Sequence, residues 1–324
     1  MRSKIGFVGN FVAVAFLLVL FVITSVSVRG GADPQVEVVK QYDALAGELP
    51  EGIAFDKRGN LYVSINPLGQ LRKISRDGSE SVLLDLDGMA FGLAVDAPGN
   101  VYVAFWLDPA TQGVIRVTKK GDWERLPGTE DILWPNALAF DKRGNLYVTD
   151  SLGGAIWRIP RGGSAELWLQ HEFLEGTDEI PGFPPVGANG IAYHQGSLYV
   201  ANTEKGLIVK VPILKGGDAG DPKIISMGPE VDGPDGIALD VHGNIYAVLV
   251  LQSKLVKIDP VDGHVTEILS AEDGLDEPAS LAFGTGKGDR KNVFFTNFSV
   301  MEPHTGFGPA ILQIDIGVSG APLS

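Results

Sequence analysis

Ten consecutive residues, AFDKRGNLYV, stand at positions 54–63 and again, letter for letter, at 139–148. Identity over that length constrains the fold more than any composition could, because the two segments must solve the same structural problem twice. Weaker copies follow the same plan: FGLAVDAPGNVYVAF from Phe91, NGIAYHQGSLYVAN from Asn189, DGIALDVHGNIYAVL from Asp235 and ASLAFGTGKGDRKNVFFTN from Ala279. Aligned on the residue two places before the apolar–Ala pair, the six copies fall at 51, 91, 136, 189, 235 and 279, with spacings of 40 to 53 residues. Each holds two apolar runs joined by a turn, the pattern of a β-propeller blade and not of a helical solenoid.

The expected fold is therefore all-β: a six-bladed β-propeller with four antiparallel strands per blade. Within the first copy, Ile53 to Phe55 belong to the innermost strand, Asp56 to Asn60 make the turn and Leu61 to Ile65 form the second strand. The Gly-Asn pair recurs at 99–100, 144–145 and 243–244, where the chain must reverse through positive φ. The last copy supplies only three strands before the chain stops, whereas the alternating run Val36 to Tyr42 precedes the first copy and belongs to no blade. The reading that removes both anomalies makes the N-terminal strand complete the last blade, which also removes an open edge. Residues 35–324 are then one propeller domain.

Residues 1–34 are set apart. Arg2 and Lys4 precede an uncharged, mostly apolar run from Phe11 to Val28, with no acidic residue before Asp33. This is the plan of a signal peptide, and the run is also about long enough to hold residues 6–28 in a bilayer as an anchor. Either way the propeller is expected outside the cytoplasm, in the periplasm or the extracellular space. The chain has no cysteine, which excludes disulfides, thiolate metal sites and a cysteine nucleophile. A formal net charge of −14 excludes nucleic acid as a primary partner. A monomer acting on a small molecule is the expectation.

In a propeller, the residues at the aligned register converge on the mouth of the central channel. Around the ring they are Glu51, Phe91, Asn136, Asn189, Asp235 and Ala279. Two carboxylates and two carboxamides on one axis repel or compete unless a cation binds them, and hard oxygen ligands suit calcium, with magnesium, manganese or zinc as alternatives. Glu51, Asn136, Asn189 and Asp235 are thus candidate metal ligands. Asp56, Asp96, Asp141 and Asp240 also recur, but each stands beside a Gly-Asn turn that accounts for it. Phe91, Trp134, Phe105 and Trp106 are expected to line an apolar wall at the mouth, and His304 lies in a loop on the same face. The 171–188 stretch, rich in proline, is the longest connection into an inner strand and a candidate lid or specificity loop. No GxSxG, HExxH or phosphate-cradling loop occurs in the required context.

The order Glu, Asn, Asn, Asp on blades one, three, four and five, with the ending GPAILQIDIGVSGAP at 308–322, resembles the SMP-30/gluconolactonase/LRE-like family of six-bladed propellers. Diisopropylfluorophosphatase-like phosphotriesterases are relatives of that family. The resemblance implies a divalent cation, often calcium, held by Glu51, Asn189 and Asp235, with Asn136 touching metal and substrate. It implies Asp235 as the catalytic base or nucleophile and a metal-dependent hydrolase of lactones or similar esters; Trp134 and Phe91 in the wall of the mouth and His304 in its loop are this sequence's own candidates for substrate contact. The LYVTD-type strands alone are shared with NHL-repeat propellers, which leaves a non-catalytic binding module with a structural metal as an alternative. Repeats such as GPDGIALD and NGIAY are also shared with streptogramin lyases, the third reading.

Overall fold

The computed structural model describes residues 35–180, 184–301 and 303–323. Six four-stranded antiparallel sheets follow one another along the chain. Their innermost strands are Pro50–Phe55, Met89–Val95, Pro135–Phe140, Ala188–His194, Pro234–Leu239 and Pro278–Phe283. Five blades are built from consecutive strands. The sixth joins three C-terminal strands, ending in Ala310–Asp315, to the N-terminal strand Glu37–Gln41, which pairs antiparallel with it from Glu37↔Gln313 to Gln41↔Ala310. The closure expected from the sequence is thus present. Outer strands are more exposed than inner ones, and Trp123–Arg125 of the second blade is shorter than the rest. Among the described residues no helix is long and apolar enough to cross a membrane. The N-terminal signal or anchor segment lies outside the described residues.

The chemistry of the repeat is visible in its turn. The Asp56 carboxylate accepts the backbone N–H groups of Arg58 and Asn60, the Asn60 side-chain amide at 2.7 Å and the Tyr62 hydroxyl at 3.4 Å. Asp141 repeats this with Arg143, Asn145 and Tyr147, and Asp240 with His242, Asn244 and Tyr246. Gly59 and Gly144 sit at φ of 81° and 83°, which a residue with a Cβ rarely adopts. Aspartate, glycine, asparagine and tyrosine are therefore fixed together as one hydrogen-bonded turn, and the recurrent aspartates are turn residues as the sequence suggests.

Apolar side chains pack in the seams between blades. Tyr62 and Leu71 of blade one meet Leu93, Val103 and Phe105 of blade two, and Leu255 and Val248 of blade five meet Leu281 and Phe295 of blade six. Phe55 and Val63 meet Phe294 and Ile311 across the closing seam. Each such side chain taken from water contributes about 1.5–3 kcal/mol, so every blade depends on both neighbours.

Candidate functional site

All six inner strands carry the same irregularity at the same place. The pairing shifts between Pro50 and Ile53, Ala90 and Leu93, Pro135 and Leu138, Ala188 and Ile191, Pro234 and Ile237, and Pro278 and Leu281. Two residues there oppose one on the second strand, which is a β-bulge, and the first of the two is the aligned register position in every blade. A bulge re-aims a side chain, and its sixfold repetition explains how Glu51, Asn136, Asn189 and Asp235 turn toward a common axis while remaining in strands.

The ring is tight where the bulges touch. A Cβ on Gly52 would lie 2.5 Å from the Phe91 carbonyl oxygen, and one on Gly190 would run into the Asp235 carbonyl. Gly92 and Gly236 serve the same way. At the two seams without such a glycine, threonine hydroxyls make the joint: Thr149 donates to the Asn189 carbonyl and Thr296 to the Glu51 carbonyl, each at 2.7 Å. Each of these threonines also accepts the bulge N–H of its own blade, from Ala137 and Ser280.

Glu51, Asn136 and Asn189 are buried, each about 5% exposed or less, and Asp235 is partly buried. Burial pushes the Glu51 carboxyl well above the usual carboxylate range, and the nearby Asp235 pushes it further in the same direction. Burial raises Asp235 as well, with Asn189 beside it pulling the other way. The structure thus brings Glu51, Asn189 and Asp235 within electrostatic reach of one another although they come from three blades. The acceptor atoms Glu51 Oε2 and Asn189 Oδ1 are buried and receive no hydrogen bond. Buried acceptors without donors are costly, and a set of two carboxylates and two amide oxygens is the donor chemistry a hard divalent cation takes. Among the described residues no group of three or more His, Cys, Asp or Glu gathers as a metal cluster, so the two amides are essential to any such site.

Asn136 belongs to the same seam. Its side chain reaches Ser151 at 3.0 Å, and Ser151 in turn bonds the carbonyl of Ala188, the residue before Asn189. Below this ring the central channel opens into a cavity of about 650 Å³ toward the face of the Asp-Gly-Asn turns. Its walls include Ile53, Leu93, Leu138, Ile191 and Ile237, and Gly92, Gly190 and Gly236 of the bulges, but none of the six register residues. This cavity is therefore a part of the channel beneath the candidate site, not the site itself.

At the mouth, Phe91, Trp106 and Trp134 form one cluster with Val186. Trp106 stacks on Trp134 at 4.2 Å between ring centroids, and Phe91 meets Trp134 edge-on at 5.8 Å. The Asp150 carboxylate fixes this wall by accepting the backbone N–H groups of Leu133 and Trp134. Phe105 does not join it. It is fully buried in the core between blades one and two, because Val101, Val103 and Phe105 share one side of their strand while Ala104 and Trp106 share the other. His304 is half-buried in the connection from Asn297 to Ala310, beside Thr305, which is tied to the Asp276 carboxylate. In the 171–188 connection, Glu204 accepts the backbone N–H groups of Thr177 and Asp178. These bonds, with one from Val186, hold the Glu204 carboxyl below the usual range although burial alone would raise it.

The sequence reading passes over Ser151 and Thr203, which hydrogen-bond Asn136 and Asn189. The available signal was a hydroxyl residue directly after the second strand in the two amide-bearing blades, where the other copies have Asn66, Leu107, Val250 and Phe298.

Residues 185–298, which include Asn189 and Asp235 but not Glu51 or Asn136, match the family described as SMP-30/Gluconolactonase/LRE-like region. No curated protein matches the sequence. In three dimensions the chain is similar to a gluconolactonase from Xanthomonas campestris, with a TM-score of 0.67, 18% identity, and 88% of this chain and 90% of that one covered. A regucalcin from Agrobacterium tumefaciens, described as a calcium-binding protein, also gives 0.67 at 18% identity, covering 90% and 96%. A virginiamycin B lyase from Staphylococcus aureus gives 0.59 at 16% identity, covering 87% and 100%. At such identities these likenesses establish the fold they share. The chain is a six-bladed β-propeller whose residues 185–298 match the model of the SMP-30/gluconolactonase/LRE-like region.

Proposed function

We propose that this propeller is a divalent-metal-dependent hydrolase acting on a lactone or similar small ester, with Glu51, Asn136, Asn189 and Asp235 holding the cation, most readily calcium. The observation that carries the reading is the axial ring itself: four oxygen-bearing side chains delivered by four β-bulges, with Glu51 Oε2 and Asn189 Oδ1 buried and lacking donors. The neighbouring regucalcin's calcium binding and the gluconolactonase fold support it.

A bound cation supplies Lewis-acid polarisation of the ester carbonyl. The chain's own residues do the rest. Glu51 balances charge, and Asn136 and Asn189 contribute neutral oxygens that leave the site's net charge low. Asp235, the less enclosed of the two carboxylates, is placed to take a proton from water or to attack the carbonyl itself. Phe91, Trp106 and Trp134 make the apolar side against which a small substrate can rest, with His304 as a further contact from the opposite part of the rim. The site acts outside the cytoplasm, on the N-terminal segment's reading as an export signal or anchor.

The test is turnover of a lactone and organophosphate panel with calcium and with chelator. Calcium-dependent lactone hydrolysis that disappears in Asp235→Ala, with the circular dichroism of the fold unchanged, is expected. Full activity in that variant removes Asp235 from the reaction. A chelator-sensitive melting temperature with no turnover across the panel supports a non-catalytic propeller with a structural cation instead.

A further inference from the structure

A carboxamide has an accepting end and a donating end of nearly equal size, and a metal ligand must present the former. Asn136 Nδ2 donates to Ser151 Oγ at 3.0 Å, and Asn189 Nδ2 donates to Thr203 Oγ1 at 3.0 Å. Each hydroxyl has its single proton committed elsewhere. Ser151 Oγ donates to the Ala188 carbonyl at 2.7 Å, and Thr203 Oγ1 donates to the Pro234 carbonyl at 2.8 Å. A carbonyl only accepts, so each hydroxyl has only lone pairs left for the amide. A flipped amide would set oxygen against oxygen.

We infer that Ser151 and Thr203 are positioning residues that lock the two axial amides with their oxygens turned away from the blade seam and available to a cation. This rests on the metal-site reading above. Ordinary seam bonding exists at this place too, since Asn66 of blade one donates to the Ala90 carbonyl, but two features set the hydroxyls apart. The hydroxyls occupy the same place, immediately after the second strands Leu146–Asp150 and Ser197–Asn202, in the two blades whose register residue is an amide. Blade five, whose register residue is a carboxylate with no wrong end, has Val250 there. The carbonyls that take the hydroxyl protons belong to Ala188 and Pro234, the residues before Asn189 and Asp235. One hydrogen-bonded path therefore runs from Asn136 through Ser151 to the backbone of Asn189, and through Thr203 to the backbone of Asp235, referencing three consecutive ligands to one another across two seams.

Calorimetric titration of the full chain with calcium tests this. Thr203→Val should weaken calcium binding about 10–100-fold, and Thr203→Ser should restore it to within a few-fold. Thr285→Val is the control, since Thr285 Oγ1 bridges to the Asp56 carbonyl at 2.6 Å on the opposite face. It should lower the melting temperature in chelator while keeping wild-type calcium affinity. Wild-type affinity in Thr203→Val, alongside a control-like loss of stability, would overturn the inference and leave the metal site standing. A wild-type chain that binds no divalent cation overturns both. Should Thr203→Val not fold, Ser151→Ala applies the same criterion to Asn136, with unchanged affinity refuting the lock.

Discussion

The effect of Glu51→Gln should depend on whether the cation is bound. Without metal, Glu51 is a buried carboxyl whose charged form is opposed first by burial and then by Asp235. Glutamine has the shape of the protonated acid that this environment favours, so the apo fold loses little. With metal, the substitution removes one of only two charged ligands. A ligand at a hundred times its dissociation constant stabilises the fold by about 2.7 kcal/mol, and for a domain of this size each kcal/mol moves the melting temperature by roughly 2–4 °C. Wild-type protein in saturating calcium should therefore melt about 5–10 °C above the same protein in chelator. Glu51→Gln should melt at one temperature in both, close to the wild-type chelator value. Differential scanning calorimetry with matched calcium and EDTA samples reads both quantities. A Glu51→Gln variant that keeps the calcium-dependent shift removes Glu51 from the site, and one that melts well below wild type in EDTA refutes the picture of an apo Glu51 whose charged form is disfavoured.

Gly190→Ala puts a methyl into the Asp235 carbonyl of the next blade, a rigid backbone neighbour, and should cost about 1–3 kcal/mol and weaken calcium binding, seen by denaturant melts and titration. Phe105→Ala should cost about 3–5 kcal/mol as a core deletion. Trp106→Ala loses a stacked pair at the mouth, worth about 0.5–1.5 kcal/mol beyond the area it buries, and should act on KM as well. Burial alone would raise the Asp56 carboxyl, but hydrogen bonds from Asn60, Arg58 and Tyr62 hold it below the usual range. A depressed folded-state pKa stabilises the fold above the unfolded value near ~3.9 and loses that contribution as pH falls through the folded value. Asp56→Asn should therefore cost about 1.5 kcal/mol at pH 7, and the gap to wild type should close below about pH 4, as followed by urea titration across pH.

The ring is written in the repeat. Turn, strand and seam contacts repeat with the chain, so Asp56-Lys57-Arg58-Gly59-Asn60 and its copies carry their own local chemistry, and the three-strand last copy announces its missing partner. The register holding Glu51, Asn136, Asn189 and Asp235 was legible for the same reason, since a bulge at a fixed place in every blade turns one aligned position toward the axis. What that register needs from the neighbouring blade was not. Thr203 matters to Asn189 because its proton goes to Pro234, some thirty residues away and in another sheet, and no spacing along the chain encodes that bond. Phe105 and Trp106 are adjacent in sequence and equally aromatic, yet strand pleating sends one into the core between blades and the other to the mouth. Local pattern sets which residues form a blade, because hydrogen bonds within a turn or strand pair depend on near neighbours. Which atoms face the axis, which oxygens are left without donors and which hydroxyls fix them are decided only when the seams close, because those contacts join residues that only the closed ring brings together.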